Sequence, residues 1–336
     1  MPVIRQDLST KEWTIFSVER SKRPKDFVQK NVNRNNVKYL SSCPFCRNNE
    51  HMTPGEIYRI GGQNSWDVRV VPNKFPALMT SRNQVYSVDR RIDGPYLSID
   101  GVGSHEVIIE SPFHNYNLAQ SEYSHIEKVL AAYKSRFLQL SKNENYQLII
   151  IFKNHGQRAG TSLEHPHSQL IATPFVPSYV RNKLYEAQRY FDDFGHCVYC
   201  DMIEHEIEDG KRIVAKNEEF IAFTPYASMV PYHIIILPLK HQSCFIQADS
   251  SQLYMLAHIL GQVLGKLYGS LNDPDYNYIL DSSPADKAGE KHYHWHLEIL
   301  PRLTTRAGFE IGSGMHINTI LPEDCARYLA DTPRIQ

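Results

Sequence analysis

One short segment, His165-Pro166-His167-Ser168-Gln169, carries residue types suited to attack on phosphorus. An imidazole is neutral near pH 7, is nucleophilic, and leaves again once protonated. If the segment is extended, residues 165, 167 and 169 project from one face and 166 and 168 from the other. His165 can then be pinned by a metal while His167 points at substrate, and the Gln169 amide can donate to a phosphate oxygen. Pro166 cannot donate to a sheet ladder, which places the segment at a strand start or edge, where a ligand can approach. Upstream, residues 154–162 form a polar stretch with Asn154, Gly156, Gly160, Thr161 and Ser162, whose amides and hydroxyls could cradle an anion. The residues alone also admit two plainer readings: a histidine serving structure only, or a His-x-His pair in which both rings bind metal.

Two Cys-x-x-Cys pairs, Cys43/Cys46 and Cys197/Cys200, account for four of the six cysteines. Each is followed by spaced histidines, giving the sets Cys43, Cys46, His114, His165 and Cys197, Cys200, His241, His294. Thiolate and imidazole suit tetrahedral zinc, and four protein ligands close the site, so such zinc would organise the fold and not perform the chemistry. A redox dithiol or unliganded buried cysteines are the alternatives for either pair. A DNA-binding finger is excluded by spacing, since fingers hold their ligand pairs about 12–20 residues apart and here His114 stands 68 positions after Cys46. Cys244 and Cys325 stand alone and read as small buried residues.

The elements that must position these groups recur in order. Each half has a Cys-x-x-Cys pair, an apolar strand-like run ending at His114 or His241, a helical stretch, a second strand-like run (146–152 and 276–280) and a His-x-His. The interval from His114 to His165 is 51 residues and that from His241 to His294 is 53, so the chain reads as one pattern used twice. Ile126, Val129, Leu130, Tyr133, Phe137 and Leu140 recur at helical steps after a candidate cap at Ser121. Leu253, Leu256, Leu260, Val263, Leu264 and Leu267 do so after Asp249 or Ser250. The expected fold class is α+β with a mostly antiparallel sheet. Stretches 28–42 and 283–291 read as loops, and Asp209-Gly210 as a hairpin turn. In the second copy Glu298 stands where the first has Gln169. A carboxylate there repels phosphate, so a catalytic copy would be the first.

The 336 residues are 42% apolar and 22% charged, with net charge −1 and 16 histidines uncounted. That composition supports a sizeable core and argues against a protein that coats nucleic acid. No apolar run approaches the roughly 18 residues of a bilayer span, and residues 1–12 lack the apolar core of a signal peptide. The cytoplasm is the expected compartment, with no membrane and no nucleic acid partner.

These motifs resemble those of the galactose-1-phosphate uridylyltransferases, a branch of the histidine triad superfamily built from two such half-motifs, and the resemblance spans nearly the whole chain. Arg20-Ser-Lys-Arg23-Pro24, Cys43-Pro-Phe-Cys46, Ser111-Pro-Phe-His114, Phe152-Lys-Asn154-His-Gly156 and Gly160-Thr161-Ser162 ahead of His165-Pro-His167-Ser-Gln169 carry it. It implies duplicated histidine-triad-like halves, 1–190 and 191–336, forming one mostly antiparallel sheet with helices packed on it. It also implies ping-pong transfer, in which His167 attacks the α-phosphorus of a nucleoside-diphosphate sugar and holds the nucleotide until an acceptor phosphate takes it. Ser162 and Gln169 would bind the phosphates, with Asn154 beside them among the catalytic residues; Arg20, Arg23 and Asn73 would help hold the nucleotide, Gly160 and Thr161 would be substrate-binding, and Glu310 would contact the hexose hydroxyls. Two structural zinc ions and a homodimer are further implications. The second Cys-x-x-Cys set and the tail at 308–314 resemble a sub-branch that includes plant ADP-glucose phosphorylase, in which adenylate passes to inorganic phosphate. Pro166 instead fits the uridylyltransferases, where that sub-branch has Ser. Asn73-Lys74-Phe75 departs from the uridylyltransferase Asn-Asp-Phe. Uridylyl transfer between UDP-glucose and a hexose 1-phosphate is the first expectation; adenylyl transfer is the alternative, and a nucleotide-binding protein without turnover is the alternative of another class.

Overall fold

The computed structural model describes residues 1–17, 24–29, 34, 37–62, 65–80, 90–284 and 287–333. The two periodic stretches are helices. α1 (Tyr123–Leu140) buries all six of its expected apolar residues, and α4 (Ser250–Leu271) likewise. Asp249 caps α4 through a reciprocal pair: its carboxylate accepts from Gln252 N at 2.9 Å, and Gln252 Oε1 accepts from Asp249 N at 3.2 Å. The N-cap position of α1 is Glu122, one residue later than expected, because the Ser121 hydroxyl is turned back onto the Asn117 carbonyl, 2.6 Å away.

β1 (Val3–Gln6) and β2 (Trp13–Phe16) form a small sheet with β15 (His316–Asn318), and β5 (Arg90–Asp93) pairs with β6 (Tyr96–Ile99). The remaining ten strands make one sheet. From the first half come β3 (Tyr58–Gly61), β4 (Trp66–Pro72), β7 (Ser104–Ile109), β8 (Leu148–His155) and β9 (His167–Thr173). From the second come β10 (Ile213–Lys216), β11 (Phe220–Phe223), β12 (Ile234–Pro238), β13 (Tyr276–Asp281) and β14 (His296–Pro301). The order β10-β11-β12-β14-β13-β8-β9-β7-β4-β3 is antiparallel throughout. Its two halves mirror each other across the β8–β13 pairing, as duplication requires. α1 and α4 lie side by side on one face and share a single core with Ile108, Ile151, Leu170, Ile234, Ile236, Leu280 and Leu297. Each such fully buried aliphatic contributes about 1.5–3 kcal/mol.

The opposite face differs between halves. Over β11 and β12 it is covered by α2 (Ser178–Phe194) and α3 (Val198–Asp209), through Ala187, Val198, Tyr199 and Ile203 against Ile221, Phe223, Ile235 and Leu237. Over β4 and β7 it carries Cys43, Phe45, Cys46 and Trp66. The division drawn at 190/191 falls within α2. The hairpin expected at Asp209-Gly210 is instead the end of α3: Gly210 adopts φ 69° and its N–H caps the Glu206 carbonyl at 3.0 Å. The same left-handed preference of Gly serves both structures. α5 (Gly308–Ser313) and α6 (Pro322–Ala330) complete the chain. Among the described residues no helix is long and apolar enough to cross a membrane.

Candidate active site and metal centres

β9 begins at His167, so Pro166 stands just outside the ladder, as its missing N–H demands. Backbone alternation then sends Ser168 toward α1 and turns His167 and Gln169 to the opposite face. His167 Nδ1 lies 2.8 Å from the His165 carbonyl. That contact makes Nδ1 the protonated nitrogen and leaves the Nε2 lone pair for a ligand. Burial, reinforced by the charge of Lys153, holds the His167 pKa below its usual range, against the pull of the His165 carbonyl and Glu110. The ring is therefore neutral, as a nucleophile must be.

Gln169 is oriented by a residue the sequence did not single out. His105, on β7, accepts the Ala77 N–H at Nδ1 (3.0 Å), and its Nε2 faces Gln169 Oε1 at 2.8 Å. The Gln169 carbonyl is thereby engaged and its NH2 left to donate. Asn73 sits beside the same imidazole, its N–H donating to the His105 carbonyl at 2.8 Å.

A cavity of about 820 Å³ opens at His167 and is lined also by Asn154, Thr161 and Ser162. Asn154 is fixed by Asn277 of β13, whose Nδ2 donates to its Oδ1 at 2.7 Å. Gly156 and Gly160 take φ 86° and 85°, and a Cβ at Gly156 would lie 2.0 Å from Asp275 Oδ1. The other Asp275 oxygen accepts the Arg158 N–H at 2.6 Å, so a carboxylate from the second half clamps the first half's polar loop. Glu310 is not brought to this cavity; within its own chain it accepts from the N–H groups of Ala307 and Ile317, at 3.1 and 3.2 Å. Arg20 and Arg23 lie outside the described residues.

Both Cys/His sets are assembled. In each, the four ligand atoms lie within 4.8 Å of one another. Cys46 Sγ is 3.6 Å from His114 Nδ1 and 3.7 Å from His165 Nδ1, and Cys200 Sγ is 3.4 and 3.8 Å from Nδ1 of His241 and His294. A tetrahedral zinc with its usual bond lengths gives a sulfur–nitrogen edge of roughly 3.6 Å. Backbone carbonyls fix the outer nitrogens: His165 Nε2 meets Ser111 O at 2.8 Å and His241 Nε2 meets Glu290 O at 3.1 Å. These two rings thus turn an unprotonated Nδ1 to their centres. Burial brings the His165 pKa down to about 3, which keeps it neutral as a ligand must be. The residues fit a zinc ion at both sites.

The second copy keeps the same frame with inverted chemistry. His296 Nδ1 lies 3.0 Å from the His294 carbonyl, as His167 does from that of His165. Register pairs Ile235 with Glu298 and Asp281 with His296, which sets Glu298 at the Gln169 position, Asp281 at that of Asn154, and His233 at that of His105. Two amides have become carboxylates, and Lys183 from α2 bonds Asp281 at 2.8 Å. About 30 Å³ remains beside His296 and Glu298, room for a water or two, and Lys183 stands between it and a hollow of about 360 Å³ at Thr10, Glu12 and Tyr179. One half presents an open cavity at its His-x-His segment, and in the other Lys183 occupies the corresponding place.

The N-terminal domain of the galactose-1-phosphate uridyl transferase family matches residues 2–177, and its C-terminal domain residues 183–324. An ADP-glucose phosphorylase of Arabidopsis thaliana is 36% identical over 333 residues, 98% of this chain and 93% of that protein. A galactose-1-phosphate uridylyltransferase of Thermotoga maritima is 28% identical over 344 residues, 99% of each. The crystal structure of an Arabidopsis thaliana ADP-glucose phosphorylase with bound ADP-glucose superposes with TM-score 0.84 at 35% identity, covering 98% of both chains. A uridylyltransferase structure superposes with TM-score 0.74 at 25% identity, covering 98% of this chain and 97% of that one.

Proposed function

Because the chain belongs to the galactose-1-phosphate uridyl transferase family and is an enzyme of nucleotidyltransferase type, we propose that it cleaves a nucleoside-diphosphate sugar by a ping-pong mechanism through a covalent nucleotidyl-His167. His167 Nε2 attacks the α-phosphorus, the P–O bond to the β-phosphate breaks, and the sugar 1-phosphate leaves. An oxygen of the acceptor phosphate then attacks the same phosphorus and His167 is released. The observation that carries this reading is the His167 ring, its Nδ1 held by the His165 carbonyl, at the cavity lined by Asn154, Thr161 and Ser162. Ser162, Gln169 and Asn154 bind the phosphates, with Gly160 and Thr161 in the same loop. Arg20, Arg23 and Asn73 hold the nucleotide.

The first reading for the nucleotide is adenylate, passing from ADP-glucose to inorganic phosphate. It is supported by the greater likeness to the Arabidopsis phosphorylase, in sequence and in structure alike. The second reading, uridylyl transfer to a hexose 1-phosphate, is supported by Pro166. Zinc is the metal that fits the two Cys2His2 sets, and both ions stabilise the fold. The enzyme works in the cytoplasm as a homodimer, in which Glu310 of α5 serves the hexose across the subunit boundary; the exposed Phe309 and Ile311 beside it offer an apolar contact. The test is incubation with α-labelled ADP-glucose or UDP-glucose. Label trapped on the wild type and absent from His167→Gly is expected. Label retained in that variant overturns the nucleophile, and the pair that turns over, ADP-glucose with phosphate or UDP-glucose with galactose 1-phosphate, decides the nucleotide.

A further inference from the structure

Beneath His167, on the helix face of the sheet, lies a buried polar cluster. Lys153 Nζ meets Glu110 Oε2 at 2.5 Å, with side chains 2% and 0% exposed. The Ser168 hydroxyl donates to the other Glu110 oxygen, and the Tyr133 hydroxyl bonds both Ser168 and Tyr278. The cluster sits under the backbone on either side of the nucleophile: the main-chain N–H of Glu110 donates to the Pro166 carbonyl at 3.2 Å, and the Lys153 side chain places its Nζ 3.5 Å from the His167 carbonyl.

The duplication supplies an internal control. Ser168 pairs with Lys153 as Leu297 pairs with Leu280. Glu110 follows the Ile109–His167 pair as Pro238 follows the position opposite His296. The second half therefore places Leu280, Leu297 and Pro238 where the first has Lys153, Ser168 and Glu110, and all three are buried. Pro238 has no N–H, so even the backbone grip is absent there. At these three positions the same sheet packs against the same helix layer with apolar residues. Taking a carboxylate and an ammonium out of water costs several kcal/mol per ion before pairing offsets it, and apolar replacements are often neutral or stabilising. The fold does not demand the cluster; the half with the open site has it.

Resting on His167 as nucleophile, we propose that Lys153 and Glu110 are positioning residues for the transfer, holding the Pro166–His167 backbone so that the imidazole keeps its line of attack. A misplacement of about 1 Å is enough to cost roughly 100-fold in rate, and a buried, paired lysine is a stiff support for a carbonyl.

The experiment compares wild type with the neutral, near-isosteric double variant Lys153→Met/Glu110→Gln. Zinc content, thermal midpoint, equilibrium affinity for the nucleotide sugar (measured in the His167→Gly background) and single-turnover formation of the covalent adduct are all read. The expected result is unchanged zinc and affinity with adduct formation slowed about 10- to 100-fold. A purely structural cluster would lower the midpoint and leave the rate alone. A folded double variant with the wild-type single-turnover rate overturns the proposal. Should the double variant not fold, Ser168→Ala takes its place: it breaks one bond of the cluster, a several-fold loss in rate is expected, and none overturns the proposal. Label that persists in His167→Gly would overturn the nucleophile reading instead, so the two failures are distinguishable.

Discussion

His233 Nε2 lies 2.9 Å from Glu298 Oε1, the same relation, one half later, as that of His105 to Gln169 at 2.8 Å. The histidine has been kept while its partner has gone from an amide, able to donate to a phosphate, to a carboxylate, able only to accept. Asn154 and Asp281 differ in the same way. Two added negative charges in a buried site require a cation, and α2 delivers Lys183. Removing that cation strands the carboxylates. Lys183→Ala is expected to cost about 3–5 kcal/mol, read as a shift in denaturant midpoint. Lys183→Ala/Asp281→Asn/Glu298→Gln, which removes the charges as a unit, should recover most of it. A triple variant no more stable than the single one would show that charge balance is not what Lys183 supplies.

The same cluster sets an acid limit. Burial alone would raise the Glu298 pKa, but Lys183 and His233 outweigh it and bring it down to about 2. Asp281, held by Lys183 and His296, is depressed likewise against its burial. A carboxylate with a depressed folded-state pKa stabilises the fold fully above its unfolded value and loses that contribution as pH falls through the folded one. Glu298 therefore contributes about 3 kcal/mol near neutral pH, which fades between roughly pH 5 and pH 2. Denaturation midpoints followed over that window should fall less steeply in the triple variant. Parallel slopes would contradict the assignment.

How much of this was legible in the sequence depended on whether one strand or several had to be read. α1 and α4 showed because unbroken aliphatic steps report helical burial directly. Both Cys/His sets showed because the spacing occurs twice. α2 was invisible to the same reasoning: its buried residues are Val180, Lys183 and Ala187, and a lysine on the inner face breaks the periodicity that marks a helix. Lys153 directly follows the 146–152 run, and nothing local reveals that Glu110, 43 residues earlier, meets it. His105 acquires its meaning only from the β7–β9 register.

The polar loop should tolerate no side chain at Gly156. Its φ of 86° is one that L-residues rarely adopt, and a methyl group would sit 2.0 Å from Asp275. Gly156→Ala is expected to cost about 1–3 kcal/mol in backbone strain. Displacing the loop that Asp275 clamps should also slow adduct formation by roughly 10-fold or more. Wild-type turnover in a folded Gly156→Ala protein would remove the loop from the phosphate site.

The two metal sets answer to separate substitutions. Metal analysis of the purified protein should find two zinc ions per chain, Cys43→Ser should leave one, and Cys200→Ser should leave the other. A closed zinc site contributes folding energy outright, so each loss should lower the thermal midpoint by at least about 5 °C. The first set shares His165 with the segment that carries His167, so Cys43→Ser should also slow covalent labelling. Cys200→Ser touches only the second half and should leave the labelling rate of the remaining folded protein near wild type. Equal loss of labelling in both variants would mean that the second centre supports the active site and not only its own half.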